Sequence, residues 1–349
     1  MKVAIVVVTY QGKQWLKTCL GSSINYAPQA KLYVVDNGSS DGTAEAVAAD
    51  YPTVQLIKLK ENLGFSGGNN IGLKQALIQG AEAVLLLNQD AELTAGALEK
   101  MVAALQSNSH WGAVQAGLYL PNGLVNSLGN QFHYLGFAYA GGNGRTYEQA
   151  KGVLSWLKSG GEPPYLSGAG LLLRAAALRE VGLLDQEFFM YHEDLELSWR
   201  LRLNGWQLGV LPEARIIHHY QMSRSLNQFY YMERNRLVLV LSYYRLPTLL
   251  LLLIPWLISE AVLLAVAFWS GWGLNKIKAY LYCLSNQAWR NIIARRQKLT
   301  SLRKISDRRL LAYACGRIDF QGDNSPLTDY IFNPLSSLAW QLLYPLIRW

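Results

Sequence analysis

Four short polar stretches hold most of the side chains that could do chemistry. "YHEDLELSWR", Tyr191 to Arg200, packs Glu193, Asp194 and Glu196 into four positions behind His192. Such a cluster is either an active site or the acidic start of a surface helix, where the helix dipole favours negative charge. "LLLNQD" ends an apolar run on Asp90. A carboxylate at a buried strand end can hold a divalent cation through its oxygens, or it can serve as a turn or cap residue. "VVDNGSSDGT" ends another apolar run on Asp36 and Asn37, a polar turn able to hydrogen-bond a base and to start a helix. "ENLGFSGGNN" carries Gly67 and Gly68, which let backbone approach a ligand, or simply form a turn and helix start. It is neither G-x-G-x-x-G nor a P-loop.

The acidic stretch predicts a helix. Glu196 and Arg200 are four apart with the acid first, the favoured order for a helical pair. Leu195, Trp199 and Leu203 form one stripe, and Gly205 is a C-terminal stop. Leu195, Leu197, Trp199, Leu201 and Leu203 also alternate strictly, as in a strand. The caps and the charge pair favour the helix.

The elements that must position these groups alternate strand and helix. Continuous apolar runs at Val3 to Val8 and Val84 to Leu87 imply strands covered on both faces, as in a parallel sheet. The expected fold is α/β, a doubly wound sheet that binds ligands at the carboxyl ends of its strands. Thr9, Asp36, Asn37, Asn62, Asn88 and Asp90 all fall at such ends. From about Leu118 to Leu166 the pattern loosens into glycine-punctuated segments, expected as loops over a site. "WQLGVLPEARIIHHY" reads as a short strand.

The chain has 349 residues and a formal net charge of +8, with a pI near 9.2. That balance suits an anionic partner. Cys19, Cys283 and Cys315 are scattered without metal-ligand spacing, which fits a reducing compartment. "MKVAIVVVTY" reads as a buried first strand and not a signal peptide. The character changes after Gln228. Leu246 to Trp269 is long enough to span a bilayer, yet it holds Pro255 and, near its middle, Glu260. Lys276 to Arg309 is strongly basic, and a single crossing would set it against the positive-inside tendency. A kinked, re-entrant or in-plane helical pair on anionic lipid is expected, against a buried helix of a soluble domain. The boundaries expected are 1–227 for the catalytic domain and 228–349 for a hydrophobic and basic helical membrane-associated region.

Taken together, "VVVTYQG", "VVDNGSSDGT", "ENLGFSGGNNIGL", "LLLNQDAEL", "GAGLLLRAAALREVGLLDQEFFMYHEDLELSWRLRLNGW" and "LPEARIIHHY" closely resemble glycosyltransferase family 2, with its GT-A fold. The resemblance covers roughly residues 1 to 225. The C-terminal region, opened by "YYMERNRLVLV", looks like the membrane-proximal tails of bacterial rhamnosyltransferase-like members.

This resemblance implies roles residue by residue. Thr9, Tyr10, Asp36, Asn37 and Asn62 match positions at the nucleotide, and Gly67, Gly68 and Asn70 match the segment lining the donor. Asn88, Gln89 and Asp90 occupy the D-x-D metal motif, with Asn88 replacing the first Asp. Asp90 remains as metal ligand, and His218 matches a late histidine of the metal site, with His219 as the alternative. The implied cofactor is a divalent metal, Mg2+ or Mn2+. Asp194 matches the general base, and Glu193 supports it. Gly168, Ala169 and His192 fall at the acceptor side, and Arg224 at the diphosphate.

The implied activity is inverting transfer of a sugar from a nucleotide sugar, dTDP-rhamnose or a UDP-sugar. The implied acceptor is a glycan or a polyprenyl-diphosphate-linked sugar, at the cytoplasmic face of the bacterial inner membrane. The partners are thus a nucleotide sugar, that acceptor and an anionic membrane surface, with no nucleic acid. Two other readings compete. A dinucleotide or nucleotidyl-transfer enzyme is disfavoured because no pyrophosphate fingerprint follows the first strand. A relative impaired by Asn88 would act as a nucleotide-sugar-binding or scaffold subunit.

Overall fold

The structure is a computed structural model that describes residues 1–220, 226–319, 326 and 328–349. Its first part alternates β1 (Val3–Thr9), α1 (Leu16–Tyr26), β2 (Lys31–Asp36), α2 (Thr43–Asp50), β3 (Gln55–Lys58), α3 (Gly64–Ile78), β4 (Ala83–Asn88), β5 (Ala91–Leu93), α4 (Ala97–Ser107) and β6 (Trp111–Tyr119). The central sheet has the order β3-β2-β1-β4-β10-β6-β11-β5, where β10 is Gly170–Arg174 and β11 is Gln207–His218. β1 runs parallel to β2 and β4, whereas β10 is antiparallel to β4 and β6, so the sheet is mixed. Alternation on the pleat sends Ile5, Val7, Leu85 and Leu87 into one core and Ala4, Val6, Val84 and Leu86 into another. Helices cover both faces, which accounts for the unbroken apolar runs. Thr9 lies opposite Asp36, and Val8 opposite Asn88, so three polar strand ends share one edge.

The loosely patterned middle is built of small ordered pieces. β7 (Val125–Ser127) pairs with β6, and β8 (Asn130–Phe132) pairs with β9 (Ala138–Ala140) in a separate two-stranded sheet. Two short helices follow, α5 (Tyr147–Val153) and α6 (Ser155–Ser159). The strand expected to be short, β11, has 12 residues. Its register with β6 shifts between Leu211 and Arg215, across Pro212, which has no N–H to give the ladder.

After β10 and α7 (Ala175–Val181) comes α8 (Glu193–Leu203), the predicted acidic helix. It is not a surface helix. Leu195, Trp199 and Leu203 pack among the C-terminal helices, while Leu197 and Leu201 pack toward the sheet. Positions two apart lie on nearly opposite helix faces, so the strict alternation marks a helix clasped between two layers. The Glu196–Arg200 pair is buried as well, and Glu196 also accepts the Tyr243 hydroxyl.

The C-terminal helices are α9 (Leu226–Tyr243), α10 (Leu246–Leu251), α11 (Leu253–Trp269), α12 (Gly273–Leu284), α13 (Asn286–Leu302), α14 (Asp307–Leu311) and α15 (Asn333–Leu343). Their buried cluster includes Phe132, Trp199, Tyr243 and Ile347, and so crosses the expected boundary at 227/228. Helix is interrupted at Leu252, and no described helix is long and apolar enough to cross a membrane. Glu260 faces inward to Arg236 (2.5 Å) and Lys276 (2.6 Å), which removes the cost of a carboxylate in lipid. Much of the basic stretch is spent internally too. Lys276 pairs with Glu233 and Glu260, Arg295 with Asp185 and Glu187, and Arg303 with Asp307. Ile254, Leu257, Ile258 and Trp269 of α11 are exposed.

Glycines bring α3 onto the sheet. A Cβ on Gly72 would stand 2.4 Å from Val6 Cγ1 and 3.3 Å from Val35 Cγ2. Gly72→Ala is therefore expected to destabilise by about 1–3 kcal/mol through overpacking. A Cβ on Gly21 of α1 would meet nothing within 4 Å. Gly21→Ala is expected to be neutral or to stabilise by up to about 1 kcal/mol. Urea-denaturation midpoints of the two variants check both.

Candidate active site

The first corner of the site joins the ends of β4, β5 and β11. His218 Nε2 lies 3.3 Å from Asp90 Oδ1 and 3.4 Å from Asn88 Nδ2. On its other side His218 Nδ1 meets Asn126 Oδ1 at 2.8 Å. Asn126 Oδ1 can only accept, so His218 Nδ1 donates to it, and Nε2 is the ring atom that faces Asp90. Burial raises the Asp90 carboxyl, but the hydrogen bond and charge of His218 more than offset this and hold it below its usual range. Two electron-rich atoms at that spacing suit a shared divalent cation, whose ligand atoms at about 2.1 Å lie roughly 3 Å apart. Asp90 and His218 would hold such an ion, with the Asn88 amide at its side. Among the described residues no three His, Cys, Asp or Glu side chains converge, so water and donor oxygens would complete the shell. The β11–β5 register sets His218 opposite Ala91, and His219 turns away to Glu92 and to the Trp15 ring. His218, not His219, therefore faces Asp90.

The donor edge is held by its own polar residues. Gln89 Oε1 accepts from Thr9 Oγ1 (2.8 Å) and from the Tyr10 N–H (2.9 Å), fixing the turn after β1. Tyr10 itself is exposed. Asp36 is buried and receives the Ser39 N–H at Oδ2, while its Oδ1 has no partner among the described residues. That free acceptor is available to a base or ribose donor. Asn37 gives its amide to Asn62 and to the Gly64 carbonyl and accepts the Leu63 N–H, so it braces the next turn. Gly68 sits on Val8, where a Cβ would meet Cγ1 at 2.7 Å, and Gly67 sits against Leu63. Asn70 makes two hydrogen bonds to the Leu184 backbone. In this structure Gly68 and Asn70 pack against protein. Arg224 lies outside the described residues.

The acceptor side contains the acidic helix start. Ala169 O accepts the Asn88 N–H (3.1 Å), and the neighbouring Gly168 N–H donates to Asp194 Oδ2 (3.3 Å). A two-residue strip of backbone thus connects the metal corner to Asp194. The second Asp194 oxygen accepts the Leu195 N–H at 2.8 Å. Asp194 is deeply set, with part of its surface open to the site. Burial raises its carboxyl to about 6, against the pull of the Leu195 and Gly168 N–H groups. Glu193 goes further: burial, then the charge of Asp194, push it well above the usual range, and its Oε2 has no partner among the described residues.

The loop before α8 is strained. Phe189 has φ 60° and ψ −63°, and the Met190 N–H reaches the Phe188 carbonyl, which is a γ-turn of the rare positive-φ kind. Tyr191 and His192 both have φ 66°. Each such residue costs on the order of 1–3 kcal/mol and persists only where neighbours over-determine it. Asn235 of α9 supplies that restraint. Its amide donates to the carbonyls of Phe188 (2.8 Å), Met190 (2.8 Å) and Tyr191 (2.7 Å). Arg234 adds bonds to Glu187 and Phe188. Burial lowers His192 to about 4, so it is neutral, and its Nε2 meets the Gly136 carbonyl at 3.1 Å. Its predicted acceptor role thus competes with a structural contact.

Residues 1–238 match the family described as glycosyltransferase like family 2. The chain belongs to glycosyltransferase family 2. Among curated relatives it is 29% identical over 233 residues to the N-acetylglucosaminyl-diphospho-decaprenol L-rhamnosyltransferase of Mycobacterium tuberculosis, covering 62% of this chain and 75% of the relative. It is 26% identical over 244 residues to a low-salt glycan biosynthesis hexosyltransferase of Haloferax volcanii, covering 67% of this chain and 74% of that one. A solved mannosyltransferase of Pyrobaculum calidifontis, in complex with GDP-Man and Mn2+, shares the fold at a TM-score of 0.52 and 18% identity, over 86% of both chains. The transferase is thus a glycosyltransferase with the GT-A fold.

Sequence reasoning missed Asn126 and Asn235 in this transferase. The signal for Asn235 was available: "MERNR" sets a run of polar residues into an otherwise apolar helix. Asn235→Ala removes the amide donor from the Met190 and Tyr191 carbonyls, while Phe188 keeps Arg234, and is expected to cost about 2–4 kcal/mol. Hydrogen exchange should rise first at Met190 to His192, and turnover should fall more than donor affinity. Equal protection of this loop in both proteins would contradict the restraint.

Proposed function

We propose that this transferase moves a sugar, with inversion, from a nucleotide-sugar donor to a hydroxyl of a glycan or polyprenyl-diphosphate-linked acceptor. The donor proposed is dTDP-rhamnose or a UDP-sugar such as galactofuranose. The observation that carries the reading is Asp194, a carboxylate poised near 6 and joined through Gly168 and Ala169 to the Asn88–Asp90–His218 corner. The acceptor oxygen attacks the anomeric carbon while the bond to the diphosphate oxygen breaks, and the hydroxyl proton passes to an Asp194 oxygen. A single displacement inverts the anomeric centre. Asp36 Oδ1 offers the nucleotide an acceptor. Asp90 and His218 would hold a divalent cation, Mg2+ or Mn2+, which would supply positive charge against the leaving diphosphate.

The name of the mycobacterial relative supports a lipid-diphosphate-linked acceptor and a rhamnosyl donor. We assign residues 1–227 to catalysis and 228–349 to docking on an anionic membrane surface, at the cytoplasmic face of a bacterial inner membrane. The exposed row Ile254, Leu257, Ile258 and Trp269 supports that assignment. The competing reading, a scaffold impaired by Asn88, is disfavoured because Asp90, His218 and its orienting Asn126 are assembled.

The test is a screen of nucleotide sugars for transfer and slow hydrolysis, with and without Mn2+. Turnover should require the metal. Asp194→Asn should lower kcat by about 10²–10⁴-fold with donor binding retained. Full turnover in folded Asp194→Asn would remove Asp194 as base, and donor binding without turnover under any condition would favour the scaffold.

A further inference from the structure

A cavity of about 540 Å3 opens between the end of α9 and one face of α13, away from the proposed chemistry. Ser242, Arg245, Ile293, Arg296, Thr300 and Arg303 are among its lining residues. Arg296 and Arg303 are seven residues apart, about two helical turns, so both reach the same side. Three guanidinium groups therefore share one space. The carboxylate that answers them is Asp307, which bonds Arg303, the Arg245 N–H and Thr248 Oγ1 and is fully buried. Arg296 uses Nη1 on the carbonyls of Leu241 (2.6 Å) and Tyr244 (2.8 Å), neutral groups that leave its charge unbalanced. Burial holds Arg303 below its ordinary range, and the charges of Arg245 and Arg296 add to this against the opposing pull of Asp307.

A second observation is independent of charge. Ser242 is 2% exposed and lines the cavity, and its hydroxyl has no hydrogen-bond partner among the described residues. That hydroxyl is sealed within the cavity wall, and a buried hydroxyl left unpaired is costly. Around the mouth, Leu246 and Ile293 are exposed apolar residues. Positive charge in excess and an apolar rim define the ligand's chemistry.

We propose that this cavity binds a phosphate group, with Arg245, Arg296 and Arg303 as its donors. Arg is suited to phosphate because its fork of N–H groups matches two oxygens at once. The group comes either from an anionic lipid headgroup, with its acyl chains along the apolar rim, or from phosphate free in solution. The site is separate from the proposed catalytic one and does not depend on it.

The experiment uses the full chain in two arms. One measures flotation with vesicles of phosphatidylglycerol against vesicles of phosphatidylcholine at fixed salt. The other measures the unfolding temperature in inorganic phosphate against chloride of equal ionic strength. Arg245→Glu changes an exposed side chain, and Arg179→Glu, at an exposed position of α7, is the charge-matched control. In the lipid arm Arg245→Glu should weaken phosphatidylglycerol binding by about twenty-five-fold, two charge steps of about five-fold each. Loss confined to that arm identifies a lipid headgroup. Loss of a phosphate-induced rise in unfolding temperature identifies free phosphate. If Arg245→Glu behaves like Arg179→Glu in both arms, the cavity is not a phosphate site.

Discussion

The strained turn before α8 is the constraint on which the site depends. A carboxylate can be set deep against the Gly168 N–H only if the chain enters α8 abruptly, and that entry forces three non-glycine residues to positive φ. Such a turn does not hold itself. Asn235 and Arg234 hold it from α9, more than forty residues further along the chain. The C-terminal helices are therefore a wall of the proposed catalytic site as well as the bearer of an apolar face. The same wall reaches α8 again through the Tyr243 hydroxyl on Glu196.

Four carboxylates near the chemistry are driven to different states by their surroundings. Asp90 is kept ionised by His218, as a cation ligand requires. Asp194 is raised by burial into the range of a base that can both accept and release a proton. Glu193 is raised by burial and by the charge of Asp194 beside it. Glu196 is taken up by a buried bidentate pair with Arg200, which also bonds the carbonyls of Val181 and Leu183. Residue type alone does not distinguish these four; burial and the nearest charge do.

Much of this was legible in the sequence, for definite reasons. Runs such as Val3 to Val8 can only be strands covered on both faces, and their polar ends mark the ligand edge. The acidic helix was legible from its charge pair, but its alternating leucines were ambiguous, because a helix buried on two sides mimics a strand. The choice between His218 and His219 needed the β11–β5 register, which sequence does not supply. The inward turn of Glu260, Lys276 and Arg295 was invisible, since a charged run reads as surface until its partners are known. Gly68 and Asn70 looked like ligand-lining residues and are engaged with Val8 and Leu184, because helix–sheet contact and ligand approach call for the same small or polar residues.

The central claim is that burial tunes Asp194 to act as the base. The most direct measurement is the pH dependence of single-turnover transfer at saturating donor and metal. A raised carboxyl is protonated, and inactive as a base, below its folded value, so the rate should fall on the acid side with a midpoint near 6. A rate that stayed flat down to the ordinary carboxylate range of about 4 would contradict it.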